Sequence, residues 1–171
     1  MGDFFTDRAS AAPHAELDMA NSAIDVFLDV LTLAGGKLAR GVWEQHLVLY
    51  LADGQRVDRG VVGFDLGDLP WTDDCAAEKR FVLTMVDLAL SGYRWETLSY
   101  HPARVGEDLA VFRVMVAAHT PVPSAPEYLE RPTLGVYDQP DWRVAPDPEL
   151  LALCPVHEVY TGTFGCRICP H

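Results

Sequence analysis

A chain of 171 residues, 49% of them hydrophobic, is long enough to bury one core of its own. Its 25 acidic residues against 13 Lys and Arg leave a net charge of −12, which repels phosphate backbones, excludes nucleic acid as a partner and favours a basic protein. No apolar run approaches membrane-spanning length and the first residues carry no secretory-signal pattern, so a membrane role is excluded and a soluble, cytoplasmic protein is expected.

Residues 1–13 read as a loose arm ending at Pro13, with Phe4 and Phe5 available to dock on the body. From Glu16 to Ala34, the apolar residues Leu17, Ala20, Ile24, Phe27, Leu28, Leu31 and Ala34 recur at helical spacing, and Gly35-Gly36 is expected to stop the helix. Met19, Val26, Val30 and Leu33 widen its apolar stripe beyond one flat contact, which suits a sandwiched helix or a homodimer interface.

Val42 to Leu51 alternates as a strand does, with Glu44, His46, Val48 and Tyr50 on one face. Asp53-Gly54 then turns the chain back into Arg56–Leu66. Gly60 and Gly63 mark a bulge or a close backbone approach in that return. Thr72-Asp73-Asp74 opens a second helix reaching Ser91 and closed by Gly92, and Tyr93–His101 with Leu109–Ala118 reads as a second hairpin. The order helix, hairpin, helix, hairpin predicts an α+β fold over residues 1–120, with two helices on one face of a four- to five-stranded antiparallel sheet.

Seven of the 12 prolines fall between positions 121 and 148. This segment is expected to be extended, either strapped over the body by residues such as Tyr128, Leu134 and Trp142 or free as a linker. Asp147-Pro148-Glu149 caps a short helical turn that delivers Cys154 to the last part of the chain, residues 149–171, expected to form a small zinc-ribbon or knuckle-like appendage.

That last part holds the most specific pattern. Cys154 and His157 form a Cys-x2-His pair, and eight residues later Cys166 and Cys169 form a Cys-x2-Cys pair. Two ligands separated by two residues can point inward from one tight turn, so each pair supplies half of a tetrahedron. Three thiolates and one imidazole fill all four positions of a zinc ion and leave none for water or substrate, so a structural metal is expected, with iron as the other acceptor of such a set. Glu158 to Gly165 is expected to form two short strands and a turn between the pairs. His171 is a spare imidazole that could replace His157. Two alternatives compete: a redox disulfide between Cys166 and Cys169, which lacks the helix that such pairs usually precede, and an unligated tail. Cys75 is read as a small buried or partly exposed thiol.

Catalytic patterns are weaker. Glu44 and His46, two apart on a predicted strand, would share a face as a base and its orienting carboxylate, with Tyr50 further along. An outward polar stripe explains the same three residues. His101 and His119 would lie at opposite ends of the second hairpin, too far apart to act together. Function is therefore expected to be that of an acidic protein-interaction module (adaptor, immunity or chaperone-like) held by structural zinc, with a small enzyme around Glu44, His46 and Tyr50 as the alternative.

Overall fold

Every residue from Phe27 to Gly35 is buried in α1 (Asn21–Leu38), and a helix enclosed on all sides must sit at the centre of the packing. In the computed structural model, which describes residues 3–10, 16–56, 62–102 and 104–170, three further helices surround it: α2 (Val42–Ala52), α3 (Cys75–Leu90) and α4 (Val105–Ala118). A short α5 (Pro126–Glu130) follows. The described residues otherwise hold two two-stranded sheets, β1–β2 and β3–β4, so the expected four- to five-stranded sheet carrying two helices is replaced by a helical core. The breadth of the α1 stripe is accounted for inside one chain and needs no second copy.

The error over Val42–Leu51 has a physical cause. All seven residues from His46 to Ala52 are buried, so α2 has no polar face to show a helical period, and its apparent alternation carries no pleat. Its first turn is closed by Glu44, whose side chain accepts from the backbone N–H groups of Arg40 (2.8 Å) and Gly41 (3.0 Å). In α4, Val105, Leu109, Phe112, Met115 and Val116 are buried at spacings of three and four. The outward-facing Val114 and half-buried Val111 between them make the run look like a β-strand by composition. The other half of that expected hairpin, Tyr93–His101, is a 3-10 turn at Trp95–Thr97 followed by a loop.

Gly35-Gly36 does not stop α1. A Cβ at Gly35 would sit 2.6 Å from Val48 Cγ2 on α2 and 3.1 Å from Met85 Sδ on α3, and one at Gly36 would sit 2.9 Å from the Glu158 carbonyl oxygen. The pair lies where three segments crowd against α1, and the helix continues past them to Leu38.

The N-terminal arm is not loose from Asp3 to Thr6. These residues form β1, paired antiparallel with β2 (Glu16–Met19), which occupies what was expected to be the first turn of a helix. On its other edge β1 donates to the last part of the expected return strand, Phe4 N–H to Val62 O (3.2 Å) and Thr6 N–H to Phe64 O (3.0 Å). Residues 57–61, including Gly60, lie outside the described residues. Gly63, at φ 127°, passes so close to β1 that a Cβ there would fall 1.7 Å from Phe4 O, so the close approach requires glycine. Phe5 is fully buried, its ring 4.9–5.3 Å from those of Phe27, Phe64 and Phe112.

α3 lies where the sequence places it, with the Glu78 carboxylate accepting from the Thr72 N–H (2.8 Å) and hydroxyl (2.5 Å) ahead of its first turn. The Pro-rich segment is anchored on the helices. Leu134, in the hairpin of β3 (Thr133–Leu134) and β4 (Tyr137–Asp138), is fully buried, and Trp142 stands edge-on to Trp43 at 5.5 Å.

The crowding at Gly35 generates a test. Gly35→Ala gains helix propensity but overpacks the α1–α2–α3 contact, and we expect a net loss of about 1–2 kcal/mol in chemical denaturation. Adding Val48→Ala should recover part of that loss by making room.

Candidate metal centre

The Cys-x2-His half is a single tight turn. Glu158 N–H donates to Cys154 O (2.8 Å), closing the loop around Pro155 and Val156, and Glu158 takes a φ of 56° as the chain leaves it. Cys154 N–H donates to Val159 O (2.9 Å) and Thr161 N–H to Ala152 O (2.8 Å). The strand-like pairing thus joins the residues before Cys154 to those after His157 through one bridge, Leu153 with Tyr160. The two strands expected within Glu158–Gly165 are replaced by this pairing and a turn, which presents Cys166 and Cys169 to the first half.

All four predicted donors converge, with every ligand atom within 4.8 Å of the others. His157 Nδ1 lies 3.8 Å from Cys154 Sγ, 3.5 Å from Cys166 Sγ and 3.4 Å from Cys169 Sγ, while Cys154 and Cys169 Sγ are 3.7 Å apart. A tetrahedron with metal–sulfur bonds of about 2.3 Å and a metal–nitrogen bond of about 2.05 Å places sulfurs about 3.8 Å apart and nitrogen about 3.6 Å from sulfur. The four side chains can therefore hold one metal ion as they stand. None of the four cysteines is in a disulfide, so no disulfide links Cys166 to Cys169. Cys154, His157 and Cys166 are buried. His171 lies outside the described residues.

Burial opposes charge on Cys154, but the backbone N–H groups of His157 and Val156 outweigh it and bring the thiol down to about 6. Cys169 is pushed up to about 11, chiefly because its hydrogen bond to Cys154 favours the neutral thiol, with burial adding to the effect.

A residue between the ligands joins the centre to the core. Arg167 is buried to 3% side-chain exposure and its Nε donates to Asp29 Oδ1 on α1 at 2.6 Å. Its Nη1 lies 2.9–3.0 Å from the carbonyl oxygens of Leu51, Ala52 and Gly54, at and just beyond the C-terminal end of α2, where carbonyls run out of helical N–H donors and a cation is favoured. Tyr100 also donates to Asp29, and burial together with that bond raises the phenol well above its ordinary value. Arg94 contacts Glu158 and donates to Val156 O (2.9 Å), and Asp53 accepts from Thr163 N–H (3.1 Å) and hydroxyl (2.9 Å). Sequence spacing pointed to the four ligands but not to Arg167 and Asp29. The one available signal was a lone arginine inside the Cys-x2-Cys pair.

The predicted Glu44, His46 and Tyr50 face does not exist as a face. On α2, Glu44 is two residues and about 200° from His46 and is spent on its own helix N-terminus. His46 stacks on Trp142 at 5.9 Å and its Nε2 lies 2.6 Å from Val144 O, which requires the proton on that nitrogen. Burial, the largest influence, lowers its pKa. The Tyr50 hydroxyl donates to Gly63 O (3.2 Å). His46 and Tyr50, one turn apart, do share a recess of about 440 Å³ that Glu44 does not line. His101 and His119 flank α4, and His119 Nδ1 lies 3.2 Å from Asp7. Cys75 is half-buried at the start of α3, 3.7 Å from Pro121 O. No described helix is long and apolar enough to cross a membrane.

Neither protein-family models nor curated proteins nor solved structures give a match to this chain.

The two roles separate by mutation. Cys169→Ser should abolish stoichiometric metal, read by elemental analysis. Arg167→Met should keep the metal while leaving Asp29 buried without its cationic partner, lowering stability by about 3–5 kcal/mol in denaturant titration.

Proposed function

We propose that this chain is an acidic protein-interaction module (adaptor, immunity or chaperone-like) whose C-terminal segment is stabilised by one structural zinc ion. The observation carrying the structural role is the closed donor set: three sulfurs and one imidazole at tetrahedral separations, with Arg167 leading from the same turn into the α1–α2 contact. Zinc fits a set rich in thiolate, and four cysteines outside any disulfide suit a reducing compartment such as the cytoplasm. The net charge of −12 supports a basic protein as partner. The enzyme alternative loses its paired base and carboxylate, because Glu44 and His46 point away from one another around α2.

Zinc and closure are tested together. The protein is expected to carry about one zinc per chain, and its cobalt-substituted form should show the intense d–d bands of a four-coordinate thiolate site, unchanged by added azide. A spectrum that shifts with azide would mean an open position and would overturn the structural role. For the module, affinity capture with the zinc-loaded chain from its own cells should recover a basic protein saturably, with recovery falling as salt rises. Recovery of nothing above background would remove the interaction function.

A further inference from the structure

The Pro-rich segment does more than cover Trp43. Between Asp138 and Asp147 it walls two recesses, one of about 440 Å³ against the C-terminal half of α2 and one of about 500 Å³ against the start of α3. Asp141 and Val144 line the first while Trp142 and Arg143 line the second, so the hollows lie on either side of one turn of chain. We propose that this pair of recesses is the docking site for an extended basic segment of a partner polypeptide, with one arginine or lysine side chain entering the first recess and a neighbouring one reaching the second. The assignment rests on the interaction function proposed above and names its surface.

The first recess has the chemistry for a cation on an apolar stem. Leu49, Val144 and Leu150 give it apolar wall, which suits the methylenes of an arginine or lysine. Four carboxylates line it, Asp53, Asp138, Asp141 and Asp147, and among the described residues no Lys or Arg does. Asp141 is already matched by Arg143, which grips it at 2.8 and 3.0 Å. Asp53 accepts from Thr163 and lies within electrostatic reach of the Arg56 guanidinium, whereas Asp147 accepts from the uncharged Glu149 N–H, which orients its charge without cancelling it. His46 is held neutral in its wall by burial and adds no opposing charge. The low-dielectric wall and fixed carboxylates together favour a guanidinium over its neutral isostere.

The second recess repeats the sign. Glu44, Asp73, Asp74 and Glu78 line it, and the one base lining it among the described residues, Arg143, is the residue committed to Asp141. Two anionic hollows separated by a single turn suit a chain bearing more than one basic side chain, which a lone small amine does not use. Charge complementarity thus selects a polypeptide.

Fluorescence anisotropy on the full zinc-loaded chain tests the site, using a fluorescein-labelled octapeptide of alternating arginine and serine and its citrulline counterpart. The arginine peptide should bind and the citrulline peptide should not. Ala145→Trp, placed at an exposed lining position of the first recess, should weaken binding about tenfold or more by occupying the space. Asp138→Asn and Asp73→Asn should each weaken it about threefold, whereas Asp18→Asn, an equal change of charge on β2, should leave it unaltered. Melting temperature and zinc content confirm that each variant is folded. Equal losses from Asp18→Asn and Asp138→Asn, unimpaired binding by Ala145→Trp, or equally tight binding of acetyl-arginine amide would each overturn the assignment. A basic partner captured equally by the wild-type chain and by Ala145→Trp would also overturn it, while leaving the interaction module standing on another surface.

Discussion

The bond between Arg167 and Asp29 is the contact on which the architecture turns. A guanidinium with 3% of its side chain exposed has left water almost entirely, and only fixed partners offset that loss. Asp29 supplies the charge, and the carbonyls of Leu51, Ala52 and Gly54 at the end of α2 and just beyond it supply the acceptors. Because Arg167 stands between Cys166 and Cys169, whatever fixes those cysteines also fixes the guanidinium. Metal binding in such sites contributes on the order of 10 kcal/mol, enough to hold a short segment that has little apolar surface of its own. The appendage and the core are therefore one mechanical unit at this point, with Val159 and Tyr160 buried beside the ligands.

The same junction shapes the acidic recess. Asp53, where α2 ends, is held by Thr163 from the metal loop, and both residues line the hollow that the Pro-rich segment closes. That segment is itself seated by Trp142 in the layer of Trp43, Trp71 and His46. Three stretches distant in sequence thus build one concave surface: the end of α2, the turn at 138–147 and the metal loop. Proline suits the middle stretch because its backbone need not supply a ladder of hydrogen bonds, and its fixed φ lowers the entropy lost on ordering.

Particular residues show how far the sequence could be read. The spacing of Cys154, His157, Cys166 and Cys169 is a local property, since two intervening residues put each pair on one turn whatever surrounds it. Thr72-Asp73-Asp74 likewise announced α3, because helix starts answer to neighbouring side chains. The strand assigned to Val42–Leu51 failed for the opposite reason. A helix buried all round displays no period, and whether it is buried all round depends on partners the segment does not contain. α4 failed by composition, its valines resembling a strand while Val105, Leu109, Phe112 and Val116 keep helical spacing. Gly35-Gly36 carried a true signal with the wrong cause, marking close packing and not a stop.

The sequence alone determined the composition of the candidate metal centre, the net charge and the place where α3 begins, because each depends on groups within a few positions of one another. Tertiary structure decided that the core is helical, that Glu44 and His46 part company, and that Arg167 finds Asp29 across 138 positions. Those outcomes depend on which faces lose water against which, and burial is settled only when the whole chain has closed on itself.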